Sequence, residues 1–123
     1  MNALQMAQNA YASTGAPIRT ERGNEGDIIA RVTHDLKRSD PKKNFKEFVT
    51  ALHQNRQMWI LLAVDVASEE NGLPQDLRAQ IFYLYEFTMD RTSRILAGSA
   101  TADSLIEVNT AILRGLRHQE GTS

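Results

Sequence analysis

Along most of this chain the apolar residues recur at three- and four-residue intervals with polar residues between them, the pattern of helices buried on one face. Ile28, Ile29, Val32 and Leu36 form one such stripe, beginning near Asn24. Ser39-Asp40-Pro41 closes it, because a proline disfavours helical geometry in the residue before it. From Asn44 to about Ser68 the stripe is Phe45, Phe48, Val49, Leu52, Trp59, Leu62 and Val66. Asn55 could cap a fresh start within it, so the spacing allows one long helix or two broken at His53–Asn55.

Asn71-Gly72-Leu73-Pro74 reads as a stop and restart, with the proline in the first turn of the next helix, where its missing N–H is not needed. That helix carries Leu77, Ile81, Leu84, Thr88 and Ile95 as its core stripe and runs to about Ala97, with Gly98 as a C-terminal cap. Leu105, Val108, Ile112 and Leu116 mark a last helix from about Ala102 to Arg117, followed by a polar tail, His118–Ser123. At the other end Leu4, Ala7 and Tyr11 outline a short, weakly apolar helix, Asn2–Ser13, which must dock on something to persist. Thr14–Gly26, with three glycines and a proline, reads as a linker, so residues 1–22 form a helix-plus-linker arm. No strand alternation, internal repeat or sustained heptad interrupts this. The expected fold is all-α: a small single-domain helical bundle of four to six helices with a short N-terminal helix on a flexible linker.

Composition narrows the function classes. The chain has 123 residues and no cysteine, which removes disulfide frameworks, thiolate metal sites, iron–sulfur clusters and cysteine nucleophiles together. His34, His53 and His118 are far apart in sequence and form no Glu-x-x-His or His-x-x-x-His pair, so no metal is expected. Asp65, Glu86 and Asp90 read as separate solvated or salt-bridged acids. Ser13, Ser39 and Ser68 fall at helix ends, where capping accounts for them. Gly23 and Gly26 are not followed by the Gly-Lys-Ser/Thr of a phosphate loop. The expectation is a protein that is not an enzyme, with no cofactor and no small-molecule substrate. A net charge of −1 makes direct nucleic-acid contact an unfavoured reading. Met1–Gln8 has neither a positive n-region nor a long apolar h-region, and the longest strongly apolar run, Met58–Val64, is far shorter than the roughly 20 residues of a membrane span. A cytoplasmic protein without membrane insertion is expected.

Three features stand out from this background. Between Ile81 and Met89 the sequence Ile-Phe-Tyr-Leu-Tyr-Glu-Phe-Thr-Met is apolar in nearly every direction. Ile81, Leu84 and Thr88 point one way, Phe82, Tyr85 and Met89 a second, and Tyr83 and Phe87 a third. Either this helix is central and covered on all sides, or one aromatic stripe lies in a groove for a partner helix. Trp59 has the same two readings. Second, Lys37, Arg38, Lys42, Lys43 and Lys46 form a basic cluster able to meet phosphates; Phe45 and Phe48 fit the core period and leave it no stacking platform. A solvated turn between helices is the simpler reading. Third, Asn109 and Gly115 lie on the apolar face of the last helix, which implies a buried hydrogen bond and a close backbone crossing.

Several segments carry a family resemblance. Asn2–Tyr11 followed by Pro17 and Arg19, then Ala51-Leu52-His53-Gln54-Asn55-Arg56-Gln57-Met58-Trp59, resembles the start of the FlaF family of flagellar biosynthesis regulators from alphaproteobacteria. Leu73-Pro74-Gln75-Asp76-Leu77-Arg78-Ala79-Gln80-Ile81-Phe82-Tyr83-Leu84-Tyr85-Glu86-Phe87-Thr88 is similar to that family's most distinctive stretch, and Glu107-Val108-Asn109-Thr110-Ala111-Ile112-Leu113-Arg114-Gly115-Leu116 to its C-terminal signature. Ser39–Asn44 matches least. The resemblance implies a flagellin-binding export chaperone that couples flagellin synthesis to secretion and works alongside FlbT, a regulator of flagellin mRNA translation. Its partner would be flagellin, held in an apolar groove built by Pro74–Ala97, Trp59 and the final helix, with Trp59, Phe82, Tyr83, Tyr85, Phe87, Met89, Asn109 and Arg114 as contacts and Asn2–Ser13 as a covering arm. The alternatives are an RNA-binding regulator acting on flagellin message through Lys37, Arg38, Lys42, Lys43 and Lys46, or an adaptor that binds FlbT and has no client of its own.

Overall fold

The computed structural model describes residues 21–121, with side chains placed for residues 26–116. Among these the chain is all-α, with four helices and no strand: α1 Glu21–Arg38, α2 Phe45–Ala67, α3 Gln75–Leu96 and α4 Asp103–Gly121. The segment Asn2–Ser13 lies outside the described residues.

The ends of the helices follow from local chemistry. Asn44 is an extended N-cap (φ −150°, ψ 90°) whose Oδ1 accepts the Glu47 backbone N–H at 3.1 Å, satisfying one of the free donors of the first turn. At the far end of α2, the Arg78 guanidinium reaches back from α3 to donate to the carbonyls of Val66 and Ser68 at 2.9 Å each. Pro74 is the N-cap of α3 rather than its first turn, one position earlier than the sequence implied. The helix closes as a Schellman turn: Gly98 takes φ +83°, its N–H bonds to the Ile95 carbonyl, and the Ser99 N–H bonds to that of Arg94 at 2.9 Å. Gly98 is the position that needs the left-handed conformation open to glycine.

Short turns join successive helices, so the four run antiparallel, α1 packing most closely on α4 and α2 on α3, with α1–α2 next and the α3–α4 seam the loosest. Helices α2 and α4 lie across the diagonal. One half of the core gathers Ile29, Met58, Trp59, Leu62, Ile81 and Ile112; the other gathers Leu36, Phe48, Ala51, Leu52, Ile95 and Leu105. In sequence, each helix carries buried polar residues between its contributions to the two halves: Thr33, Asn55, Thr88 with Thr92, and Asn109. A polar layer thus divides the bundle midway along its length.

One open alternative is decided and three local expectations are corrected. Helix α2 is unbroken at His53–Asn55; Asn55 is buried in mid-helix and caps nothing. The linker does not extend to Gly26: α1 already begins at Glu21, and Gly26 is buried where an added Cβ would stand 3.5 Å from Leu113 Cδ1. The backbone of α4 continues to Gly121, so helix replaces most of the expected polar tail. Phe45, in phase with the core, is nonetheless 60% exposed, because it is the first residue of α2 and lies at the rim of the bundle.

Candidate functional site

Helix α3 is not covered on all sides. Ile81, Thr88, Thr92 and Ile95 are its buried residues, and Leu77, Leu84, Tyr85 and Met89 pack half-buried against the first half-core. Phe87 is half-buried beneath the Arg91 guanidinium, whose carbon sits 5.1 Å from the ring centre. Two aromatics remain outward: Phe82 at 43% and Tyr83 at 68% exposure. The Phe82 ring lies 5.7 Å from that of Tyr85, tilted by 51°, so Tyr85 supports it from the inner side. Beside Phe82, at the α2–α3 seam, is a shallow hollow of about 310 Å³ lined by Val66, Gln75, Arg78 and Ala79. Phe82 is the aromatic that lines this hollow, and Tyr83 projects about 100° further round the helix, outside its lining.

The other expected contact residues divide. Trp59 and Asn109 are fully buried and present no surface. Arg114 is exposed on α4. The buried pair holds the bundle together instead. Trp59 Nε1–H donates to Asn109 Oδ1 at 2.8 Å, and Asn109 Nδ2 donates to Asn55 Oδ1 at 2.8 Å. An indole can only donate, so the Asn109 oxygen must face Trp59 and its amide nitrogen must face Asn55. This chain crosses the diagonal from α2 to α4 and fixes the axial register of two helices that do not pack side by side. A one-turn slide of α4 would move Asn109 about 5.4 Å and break both bonds.

The basic cluster is placed at the opposite end of the bundle from Phe82 and Tyr83. Lys37 and Arg38 close α1, Lys42 and Lys43 lie in the turn, and Lys46 opens α2; all are exposed, and Arg38 pairs with Asp35 at 3.2 Å. The acids remain separate. Asp65 is buried and accepts from Asn71 Nδ2 at 2.8 Å, Glu86 is exposed, and Asp90 pairs with Arg94 at 2.8 Å. No group of His, Asp and Glu gathers as a metal site among the described residues. No helix among them is long and apolar enough to cross a membrane.

Sequence reasoning missed the roles of Asn55, Arg78 and Phe45. Asn55 had a local signal, a polar residue in phase with Leu52, Trp59 and Leu62, but its partner is 54 positions away. For Phe45 the signal was its place directly after a capping asparagine, which puts it at the end of the bundle.

The features define a small antiparallel four-helix bundle keyed by a buried amide–indole chain. The Asn55, Trp59 and Asn109 segments that form this key are among those that resemble one family of flagellar proteins. The chain matches the family described as "Flagellar protein FlaF" over residues 7–116, nearly its whole length, and belongs to it. No curated protein and no solved structure matches the chain.

Proposed function

We propose that this FlaF-family protein binds flagellin as an export chaperone in the cytoplasm and couples flagellin synthesis to secretion, without catalysing a reaction. The observation that carries the reading is the Phe82–Tyr83 pair, two large aromatics left outward on α3, whose other large apolar residues pack at least half-buried apart from the terminal Leu96. Aromatic anchors of this kind are the usual energetic centre of a helix-binding surface. Flagellin segments that pack as amphipathic helices in a filament are exposed before assembly and need covering. The net charge of −1 favours a protein client over nucleic acid.

The test is calorimetry of the full chain with purified flagellin, beside the Phe82→Ser/Tyr83→Ser variant. Both side chains are exposed, so the fold is expected to survive. Covering their remaining apolar surface contributes roughly 1–2 kcal/mol in all, so the variant should bind about tenfold more weakly or worse. Absence of binding at tens of micromolar, or equal binding by the variant, would overturn the proposal. Co-purification of FlbT with the chain, in the presence and absence of flagellin, separates a chaperone from an adaptor with no client.

A further inference from the structure

A further hollow is at the other end of the bundle, away from the aromatic pair. It has a volume of about 420 Å³, within the roughly 300–1,000 Å³ range of pockets that take a ligand. Leu36, Phe48, Ile95 and Ile106, one from each helix, line it, and Pro41 and Phe45 form the wall on the side of the α1–α2 turn. Phe45 is 60% exposed at this lip, and Leu96 is also exposed at the same end of the bundle. The Ser39 hydroxyl in the lining already donates to the Leu36 carbonyl at 3.0 Å. The Asp40 carboxylate beside the wall accepts the Lys42 N–H at 2.9 Å.

The charges around this cavity are uneven. Lys37 lines it, and Lys42, Lys43 and Lys46 flank Phe45 on the same turn. None of these four lysines forms an ion pair among the described residues. On the α4 side the lining carries Asp103, and Glu47 lies in the first turn of α2. A ligand that fits must bring a bulky apolar group to the floor and negative charge along the α1–α2 turn, away from Asp103. Residues 1–20 of this chain contain no acid and one arginine, so they have the wrong charge for that role.

We infer that this cavity is a second docking site, and that it takes a partner-protein segment in which acidic residues flank a bulky apolar anchor. A peptide is favoured over RNA on two grounds. Phe45 is the one exposed aromatic in the lining, where a single strand needs successive faces to stack on, and the apolar floor of Leu36, Phe48, Ile95 and Ile106 takes a Leu or Phe side chain better than a polar base edge. The rim lysines supply attraction and orientation, and the apolar floor supplies the anchor.

The experiment uses the full chain and three fluorescein-labelled probes: a short peptide with a Leu-Phe pair between Asp and Glu residues, the same peptide with Lys in place of the acids, and an oligouridine. Anisotropy gives affinities, and amide chemical-shift mapping gives the site. The acidic peptide should bind, with shifts at Ser39, Gly98, Ala100 and Ala102, and the basic one should not. Lys42→Glu/Lys43→Glu and, separately, Phe45→Ser alter exposed residues and leave the core intact. Each should weaken the acidic peptide by about tenfold, while flagellin binding at Phe82 and Tyr83 stays unchanged. The inference is overturned by failure of the acidic peptide to bind at about 1 mM, by affinity that neither variant changes, by shifts that map to the Tyr83 face, or by tighter binding of oligouridine at the same residues.

Discussion

Replacing Asn109 with leucine tests the central claim about how this bundle is held. Leucine keeps the volume of the side chain and removes both hydrogen bonds it makes: the one accepted from Trp59 Nε1–H and the one donated to Asn55 Oδ1, each 2.8 Å long. All three residues are fully buried, so water cannot replace either bond. The indole N–H and the Asn55 carbonyl would both be left without partners, each at about 1–3 kcal/mol. Asn55 Nδ2 already has no hydrogen-bond partner among the described residues, so its amide would then be unsatisfied at both ends. The expected destabilisation is therefore about 2–6 kcal/mol, a large share of the roughly 5–15 kcal/mol that holds a small domain folded.

Urea unfolding followed by far-ultraviolet circular dichroism measures the loss. The fluorescence of Trp59, the single tryptophan, reports the same transition from inside the core. Asn55→Leu/Asn109→Leu completes the test. The single variants strand three groups between them and the double variant only the indole N–H, so the double variant should be about 2 kcal/mol or more above what the sum of the single losses predicts. Single variants within about 0.5 kcal/mol of the parent, or losses that simply add, would refute the reasoning.

Three further outcomes follow from the geometry. Gly115→Ala should stabilise the protein by about 0.5–1 kcal/mol, seen as a raised Tm, because an added Cβ would stand 3.7 Å from Leu77 Cδ1 in ordinary contact and the helix gains propensity. Gly98→Ala should destabilise by about 1–2 kcal/mol in urea unfolding, since a side chain at φ +83° is strained although the space around it is open. Arg78→Met keeps the stem and removes the fork that caps Val66 and Ser68. A loss of about 1–2 kcal/mol is expected, with faster amide exchange in the Asn71–Leu73 turn as the second readout.

Much of the architecture was legible because its signals are local. The stops at Pro41, Asn71–Pro74 and Gly98 fall between helices as the sequence indicated, and the stripes at Ile29–Leu36 and Leu105–Leu116 face the core. The failures have a common physical form: periodicity gives the direction in which a side chain points, not how far along the bundle it sits or what waits opposite. Phe45 points with the core residues but projects past their last layer. Asn55 resembles a helix break because the group that satisfies it is on α4. Gly115 suggested a tight crossing, yet the space beside it admits a methyl group. Residues 21–26 are rich in glycine and polar groups and read as linker, but α1 includes them, with Gly26 buried near Leu113. At the candidate site, the sequence identified an excess of aromatics on α3. Which two stay outward depended on the packing of Tyr85 and Met89 and on the position of Arg91 over Phe87.

Helix α3 runs without a break from the turn that bears Tyr83 to the turn that bears Ile95, a span of about 18 Å at 1.5 Å per residue. It is therefore a ruler with a recognisable feature near each end, the aromatic pair at one and the cavity wall at the other. A single unbroken helix has no joint between the two marks, so groups docked at both would be kept at a set spacing. Shortening or lengthening α3 by one residue would turn the two faces by about 100° relative to each other while changing their separation by only about 1.5 Å. Their relative bearing is thus far more sensitive to the helix's residue count than their distance is.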